Sequence, residues 1–265
     1  MKSSGETVWL YFARTEALAD DPLALAWLDD EELARHERFM FEHSKREFRA
    51  AHGLTRAVVG AHTGTDPRAL RFVKNEFGRP RVELEPGATD LRFNLSHTDG
   101  MLCLAVAEGV EVGADVEDAR RARQTVAVAD RFFAPSEVAS LRSLPESQQI
   151  QRFFAYWTLK ESYIKARGMG LALPLDGFAF EIEQEEPDDE AIAPRVLGDR
   201  VRLRCEPIVN DRAERWRFVR VRLSERHVGA VAIEQDGNER ALACVEVTSL
   251  AGASSSRDGE RSRSR

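Results

Sequence analysis

Residues 91–117 read LRFNLSHTDGMLCLAVAEGVEVGADVE. Apolar and polar residues alternate through most of this stretch, which is the period of a half-buried strand. Asp99-Gly100 is a hairpin turn signal, and Glu108-Gly109 marks a second turn. The pattern predicts three consecutive strands in an antiparallel meander.

Upstream, Val8 to Phe12 is a short β-rich run and predicts a strand. Asp29-Asp30-Glu31-Glu32 is an acidic helix start, suited to the positive end of the helix dipole. Ser44 is placed to cap the next helix, with Glu47 three residues on. That helix carries an apolar stripe of Phe48, Ala51, Leu54 and Val58. A second stripe, Lys45, Arg49, His52 and Arg56, is basic, and alone it reads first as an ordinary solvated face. Downstream, short helices are expected near 125–133 and 135–143, the second opening on Pro135. A long helix follows from about Glu146 to Arg167, stopping at Gly168, with Ile150, Phe153, Trp157 and Ile164 as its apolar stripe. Strands are predicted at 176–182, 201–208, 214–223, 227–234 and 241–247. The string 92–109 and the string 217–235 share a pattern, an Arg-Phe strand, a polar turn and an apolar strand, which hints at an internal duplication.

The 265 residues allow one large domain or two small ones, with a core that needs no staples. The composition, 43% hydrophobic and 31% charged, excludes a collagenous or wholly disordered chain. The net charge of −7 excludes a basic nucleic-acid coat. It averages unlike regions. Residues 31–81 hold eleven Lys/Arg against seven Asp/Glu, while 181–190 (EIEQEEPDDE) hold seven acids and no base. The three cysteines, Cys103, Cys205 and Cys244, form no CxxC pair, and two of the three sit in apolar alternating runs expected in the core. No apolar run approaches the ~18 residues of a membrane span. The start, MKSSGETVWL, lacks the apolar centre of a secretory signal, so a reducing, cytoplasmic setting is the expectation. The Arg-Ser tail from about 249 has almost no large apolar residue and is expected to be disordered.

Three carboxylates carry the chemistry. Asp115 and Glu117 are two apart on a predicted strand and share a face. By itself that face reads first as the solvent side of a half-buried sheet. Glu161 interrupts the apolar stripe of the long helix, between Trp157 and Ile164, where a Leu would be expected. A buried unpaired carboxylate costs several kcal/mol unless compensated. One compensation is an i,i+4 pair with Lys165; another is a divalent cation shared with Asp115 and Glu117. Spacing does not choose between them. Ser96 and His97, at the end of a strand, are adjacent and point oppositely, so they make no catalytic dyad; beside a polar turn they could hold a phosphate.

Four strings in order closely resemble the 4′-phosphopantetheinyl transferases: Phe93-Asn94-Leu95-Ser96-His97-Thr98, Gly113-Ala114-Asp115-Val116-Glu117, Arg131-Phe132-Phe133-Ala134-Pro135-Ser136-Glu137, and Trp157-Thr158-Leu159-Lys160-Glu161-Ser162-Tyr163-Ile164-Lys165-Ala166-Arg167-Gly168. Phe77-Gly78-Arg79-Pro80 upstream and Gly170-Leu171-Ala172-Leu173-Pro174-Leu175 downstream extend the resemblance, which spans roughly residues 30 to 235. It is to the larger, surfactin-synthetase-activating type, whose single chain holds two similar halves.

The resemblance implies an α+β fold of two similar subdomains, each a small, mostly antiparallel sheet on a long helix, related by a pseudo-two-fold with the active site between them. On this chain the halves are expected at 1–118 and 119–248, with a tail at 249–265. It implies an enzyme of the holo-[acyl-carrier-protein] synthase type, moving the 4′-phosphopantetheine arm of coenzyme A onto a serine of an acyl or peptidyl carrier protein and leaving adenosine 3′,5′-bisphosphate. Asp115, Glu117 and Glu161 match the family's Mg²⁺ ligands (Mn²⁺ being an alternative ion), with Glu161 also the candidate base. Ser96 and His97 match residues at the coenzyme's phosphates, His97 and Arg79 at the 3′-phosphate. Lys165 matches a lysine at the pyrophosphate, and Lys160 shares its motif. Arg35 and Arg46 lie in the basic region that meets the nucleotide. Glu32 stands where some relatives carry a lysine. The partners implied are the apo carrier protein and coenzyme A, with no nucleic acid or membrane, and a monomer is expected. The segment between Phe133 and Ser147 is the expected carrier contact. Two other readings stay open: a Mg²⁺-dependent hydrolase of a nucleotide or of coenzyme A, disfavoured by the lack of a Nudix-like run of helix glutamates, and a catalytically silent carrier-binding module, disfavoured by the three intact acids. An RNA-binding reading rests on the tail alone.

Overall fold

The computed structural model describes residues 7–120, 126–183 and 193–254. The chain opens with strand β1 (Thr7–Arg14). Helices α1 (Thr15–Ala19), α2 (Pro22–Ala26) and α3 (Asp30–Glu37) lead to the 22-residue α4 (Glu42–Thr63). Strands β2 (Phe72–Lys74) and β3 (Pro80–Val82) form a small hairpin, and β4 (Leu91–Thr98) and β5 (Met101–Glu108) form the hairpin turned at Asp99-Gly100. After β6 (Val112–Asp118) come α5 (Ala129–Phe132), α6 (Pro135–Arg142) and the 22-residue α7 (Glu146–Arg167). Strands β7 (Phe178–Ile182), β8 (Arg195–Gly198), β9 (Val201–Cys205), β10 (Trp216–Arg222), β11 (His227–Glu234) and β12 (Ala241–Glu246) follow.

The architecture is α+β. One sheet has the order β12-β1-β5-β4 and a second has the order β6-β11-β10-β8. The expected meander does not form. β6 pairs antiparallel with β11, because β1 and β4 already occupy both edges of β5. The chain therefore passes from one sheet to the other near Val110. Within each sheet the same connectivity recurs: a strand (β1 or β6), a 22-residue helix (α4 or α7), then a hairpin (β4–β5 or β10–β11) whose second strand lies beside the first.

Strand alternation sorts side chains into three cores. Tyr11, Leu104, Val106 and Phe93 pack with Leu54 and Val58 of α4. Trp216, Phe218 and Ala230 pack with Phe153, Leu159 and Tyr163 of α7. Between the sheets, Val8, Leu10, Phe12, Cys103 and Ala105 meet Val112, Ala114, Val116, Val219 and Val231. Of the expected stripe on α7, Phe153 and Ile164 are buried, while Ile150 is 38% exposed.

The C-terminal strand returns to the first sheet. β12 lies parallel to β1, and Val247, Leu250 and Ala253 enter the α4 core, Leu250 with no exposed surface. Within the expected tail 249–265, residues 250–254 are helical, with Leu250 and Ala253 buried and Ala251 and Gly252 exposed; residues 255–265 lie outside the described residues, as does most of the acidic stretch 181–190. Of the three cysteines Cys103 is buried in the core, Cys205 is half-buried, and Cys244 is exposed on the edge strand β12, so one rather than two is fully core. Asp29 caps α3 in a capping box with Glu32. α4 starts two residues before Ser44, on Phe41 with no side-chain cap. The basic stripe divides. Arg56 is fully buried and holds Asp29 and Glu32, whereas Lys45 reaches Glu37.

The two sheets are tied at their turns and edges. The Asn94 carboxamide oxygen accepts the amide of Ala114 at 2.9 Å, stitching β4 to β6. His227, wholly buried, donates Nε2–H to the Asp99 carbonyl at 2.9 Å and accepts the Ser224 hydroxyl on Nδ1 at 2.6 Å. Among the described residues, no helix is long and apolar enough to cross a membrane.

Candidate active site

The edges of β4 and β6 face the C-terminal half of α7, and the polar residues of all three meet there. Gly113 lets β6 and α7 touch: a Cβ on it would sit 2.1 Å from the Ser162 carbonyl oxygen and 2.4 Å from the Ala166 nitrogen. Asp115, two residues on, therefore points at α7. The Lys165 ammonium donates to Asp115 Oδ1 at 2.6 Å and to Ser96 Oγ at 2.8 Å, and the Ser96 hydroxyl donates to the same carboxylate oxygen at 2.9 Å. Ser96 and Asp115 are each 4% exposed. Burial works against the Lys165 ammonium, but the charge and hydrogen bond of Asp115 outweigh it and hold its pKa above the ordinary lysine value.

Glu117 lies next along β6 and accepts Trp157 Nε1–H at 3.1 Å. Burial, with the charge of Asp115 behind it, pushes the Glu117 carboxyl up to about 7. Burial and then Asp115 also raise Glu161. Lys165 takes Asp115 as its contact ion-pair partner, and its charge acts on Glu161, one turn away, only in part: burial and Asp115 still leave Glu161 raised. His97 stands at the rim, exposed, with Nδ1 3.0 Å from Glu47 Oε1 on α4.

The donor set suits a hard divalent cation. All three acids offer oxygen. Asp115 Oδ2 is buried with no hydrogen-bond partner, and the pKa values of Glu117 and Glu161 are raised by burial first and then by the charge of Asp115, a setting in which a bound cation would favour their charged forms. Among the described residues, three such groups are not already drawn into a metal-sized cluster.

The other expected residues are placed elsewhere. Lys160 is fully buried in the α7 core. Its ammonium donates to the carbonyls of Leu175 and Phe178, each at 2.7 Å, and pairs with Glu137 at 2.8 Å, so all three donors are spent away from the cleft. Arg46 forms a two-pronged pair with Asp20, one prong at 2.8 Å, beside α1. Arg35 lies over the Phe48 ring at 5.3 Å and lines a cavity of about 410 Å³ with His52, Lys74, Phe72 and, from β4, Phe93 and Leu95. Arg79 is held by backbone carbonyls of β6 and α7. Three residues that matter here escaped the sequence reading. Trp157 looked like core, Asn94 like part of a strand, and Glu47 like a capping residue; only the position of Trp157, four before Glu161, held a signal.

A sequence profile described as the 4′-phosphopantetheinyl transferase superfamily matches residues 111–232, and one described as 4′-phosphopantetheinyl transferase, N-terminal, matches 19–109. The 4′-phosphopantetheinyl transferase HetI of Nostoc sp. is 37% identical over 169 residues, covering 64% of this chain and 71% of the relative. The chain belongs to the 4′-phosphopantetheinyl transferase superfamily. The Sfp transferase of Bacillus subtilis is 27% identical over 176 residues, 66% of this chain and 76% of its own. The mouse L-aminoadipate-semialdehyde dehydrogenase-phosphopantetheinyl transferase is 25% identical over 227 residues, 82% of this chain and 71% of its own. The two profiles meet at residues 109 and 111, where the chain of this transferase passes from one sheet to the other. Asp115, Glu117, Glu161 and Lys165 all lie inside the superfamily match, while Ser96 and His97 lie inside the N-terminal one.

Proposed function

We propose that the cleft between β4, β6 and α7 transfers the 4′-phosphopantetheine arm of coenzyme A to a serine of an acyl or peptidyl carrier protein and releases adenosine 3′,5′-bisphosphate. The observation that carries this reading is the Ser96–Asp115–Lys165 network, drawn from both halves of a chain of this superfamily.

The carrier hydroxyl oxygen forms a bond to the phosphorus next to pantetheine. The bond from that phosphorus to the bridging oxygen breaks, and the electron pair leaves with the nucleotide. Such transfer needs in-line placement and relief of charge on the phosphate oxygens. Lys165, a fixed cation in a partly closed site, meets that charge. Ser96 orients the phosphate from the strand edge, and His97 with its Glu47 partner stands at the rim where the 3′-phosphate would lie. Asp115, Glu117 and Glu161 would hold Mg²⁺, which would supply Lewis-acid stabilisation of the charge on the phosphates. Glu161 accepts the serine proton; its raised pKa makes it a better base than an ordinary carboxylate. The recurrent strand order supports a pseudo-two-fold relation of the halves. The segment from Phe133 to Ser147, which includes α6, is the proposed carrier contact, and the working form is a monomer.

Intact-mass analysis of an apo carrier incubated with the protein, coenzyme A and Mg²⁺ tests the reading. A gain of one phosphopantetheine supports it; no gain with carriers of both fatty-acid and peptide-synthetase types overturns it. Glu161→Gln at full kcat would remove the base assignment alone.

A further inference from the structure

The carbonyls at the C-terminus of α7 are capped from the other half of the molecule. A helix leaves its last four carbonyls without intrahelical partners, and a cation there also opposes the negative end of the dipole. Arg79, on the turn between β2 and β3, donates from NH1 to the Ala166 carbonyl at 2.6 Å and from NH2 to the Val112 carbonyl at 2.9 Å. The same NH1 lies 2.7 Å from Glu111 Oε2. Asn75 donates Nδ2–H to the Gly168 carbonyl at 3.0 Å, while its Oδ1 accepts the amides of Phe77 and Arg79 at 3.0 and 2.8 Å and so fixes the turn. Gly168 admits the pair: its φ is +64°, and a Cβ there would lie 2.9 Å from Arg79 Cδ.

Ala166 follows Lys165, and Val112 precedes Asp115 by three residues. One guanidinium therefore grips the two segments that carry the partners of the Lys165–Asp115 pair. Its side chain is 8% exposed and its charge already faces Glu111.

We propose that Arg79, with Asn75, is an inter-half clasp that positions Lys165 against Asp115 and Ser96, rather than a ligand of the coenzyme's 3′-phosphate. Arg79 is thus a positioning residue acting through α7. The inference rests on the transferase reading, since the group positioned is the one proposed to meet the pyrophosphate.

The test compares coenzyme A with 3′-dephospho-coenzyme A in Arg79→Ala, Arg79→Lys and the parent protein. A clasp predicts a fall in kcat of roughly 10- to 100-fold in Arg79→Ala, the scale of a displacement near 1 Å. The preference for coenzyme A over its dephospho form should stay within about two-fold of the parent, because no phosphate contact is lost; a factor of two is only about 0.4 kcal/mol. Arg79→Lys, which can still cap one carbonyl, should recover part of kcat. In a Lys165→Ala background the Arg79→Ala change should cost far less than it does alone. Hydrogen exchange over residues 160–168 should quicken in Arg79→Ala and, more mildly, in Asn75→Ala, which removes one cap and tests the clasp if Arg79→Ala fails to fold. Collapse of the dephospho preference with kcat intact, or unchanged exchange at the end of α7, would overturn the clasp. A parent protein that modifies no carrier would overturn the transferase reading, while the exchange measurement would still judge the clasp.

Discussion

Lys160 and Lys165 stand on one helix and meet opposite surroundings. Five residues are about 140° around a helix at 100° per residue, so one lysine enters the α7 core while the other faces β6. Burial lowers the pKa of Lys160 and raises that of Glu137, and the pair holds because every donor of one and both oxygens of the other are satisfied. Glu137→Ala would leave the ammonium unpaired and should cost about 3–5 kcal/mol in chemical denaturation. The resemblance already pointed to Lys165 as the lysine of the cleft; that Lys160 spends its charge in the core was not legible, because its partners Glu137, Leu175 and Phe178 come from segments the motif does not link to it. His227 offers a residue-scale pH test. Burial lowers its pKa below the ordinary value near about 6.5, so the unfolded chain takes up the proton first on acidification. Stability should fall as pH drops below about 6.5, and His227→Gln should flatten that slope in thermal melts between about pH 7 and 5.5.

At the scale of elements, α7 and β11 follow their sequence patterns closely, with α7 closing at Gly168 as expected. β6 has equally clear alternation, and its strand character was legible. Its partner was not. The Glu108-Gly109 turn favours a local hairpin, yet β1, about ninety residues earlier, takes the edge of β5. Competition for an edge is non-local and leaves no mark within the strand. The consequence is the close contact of β6 with α7, which makes Gly113 a sensitive position. Gly113→Ala forces a methyl against helix backbone, and it should cost about 3 kcal/mol or more. It should also lower activity in whatever fraction folds, by moving Asp115 off Lys165. A variant that melts like the parent and retains full transfer would show that β6 and α7 do not meet so tightly.

The whole molecule is interlocked rather than divided at a linker. β6 enters the second sheet early, and β12 carries the C-terminus back to the first. Leu250 has no exposed surface and packs against the α4 side, where Gly53 and Ala24 leave room for it. Leu250→Ala should cost about 2–5 kcal/mol, a core-sized loss for a residue that reads in sequence as the start of a tail. Deletion of 255–265 should leave thermal stability and transfer as they are. A chain whose halves share strands in this way keeps the two walls of the cleft in register, which the Ser96–Asp115–Lys165 network requires. The central claim is that this cleft moves phosphopantetheine to a protein hydroxyl and not to water. Holo-carrier and adenosine 3′,5′-bisphosphate, quantified in the same reaction with coenzyme A and Mg²⁺, test it most directly. The account predicts one nucleotide per modified carrier and no nucleotide when the carrier is left out; nucleotide released without a carrier to receive the arm would contradict it.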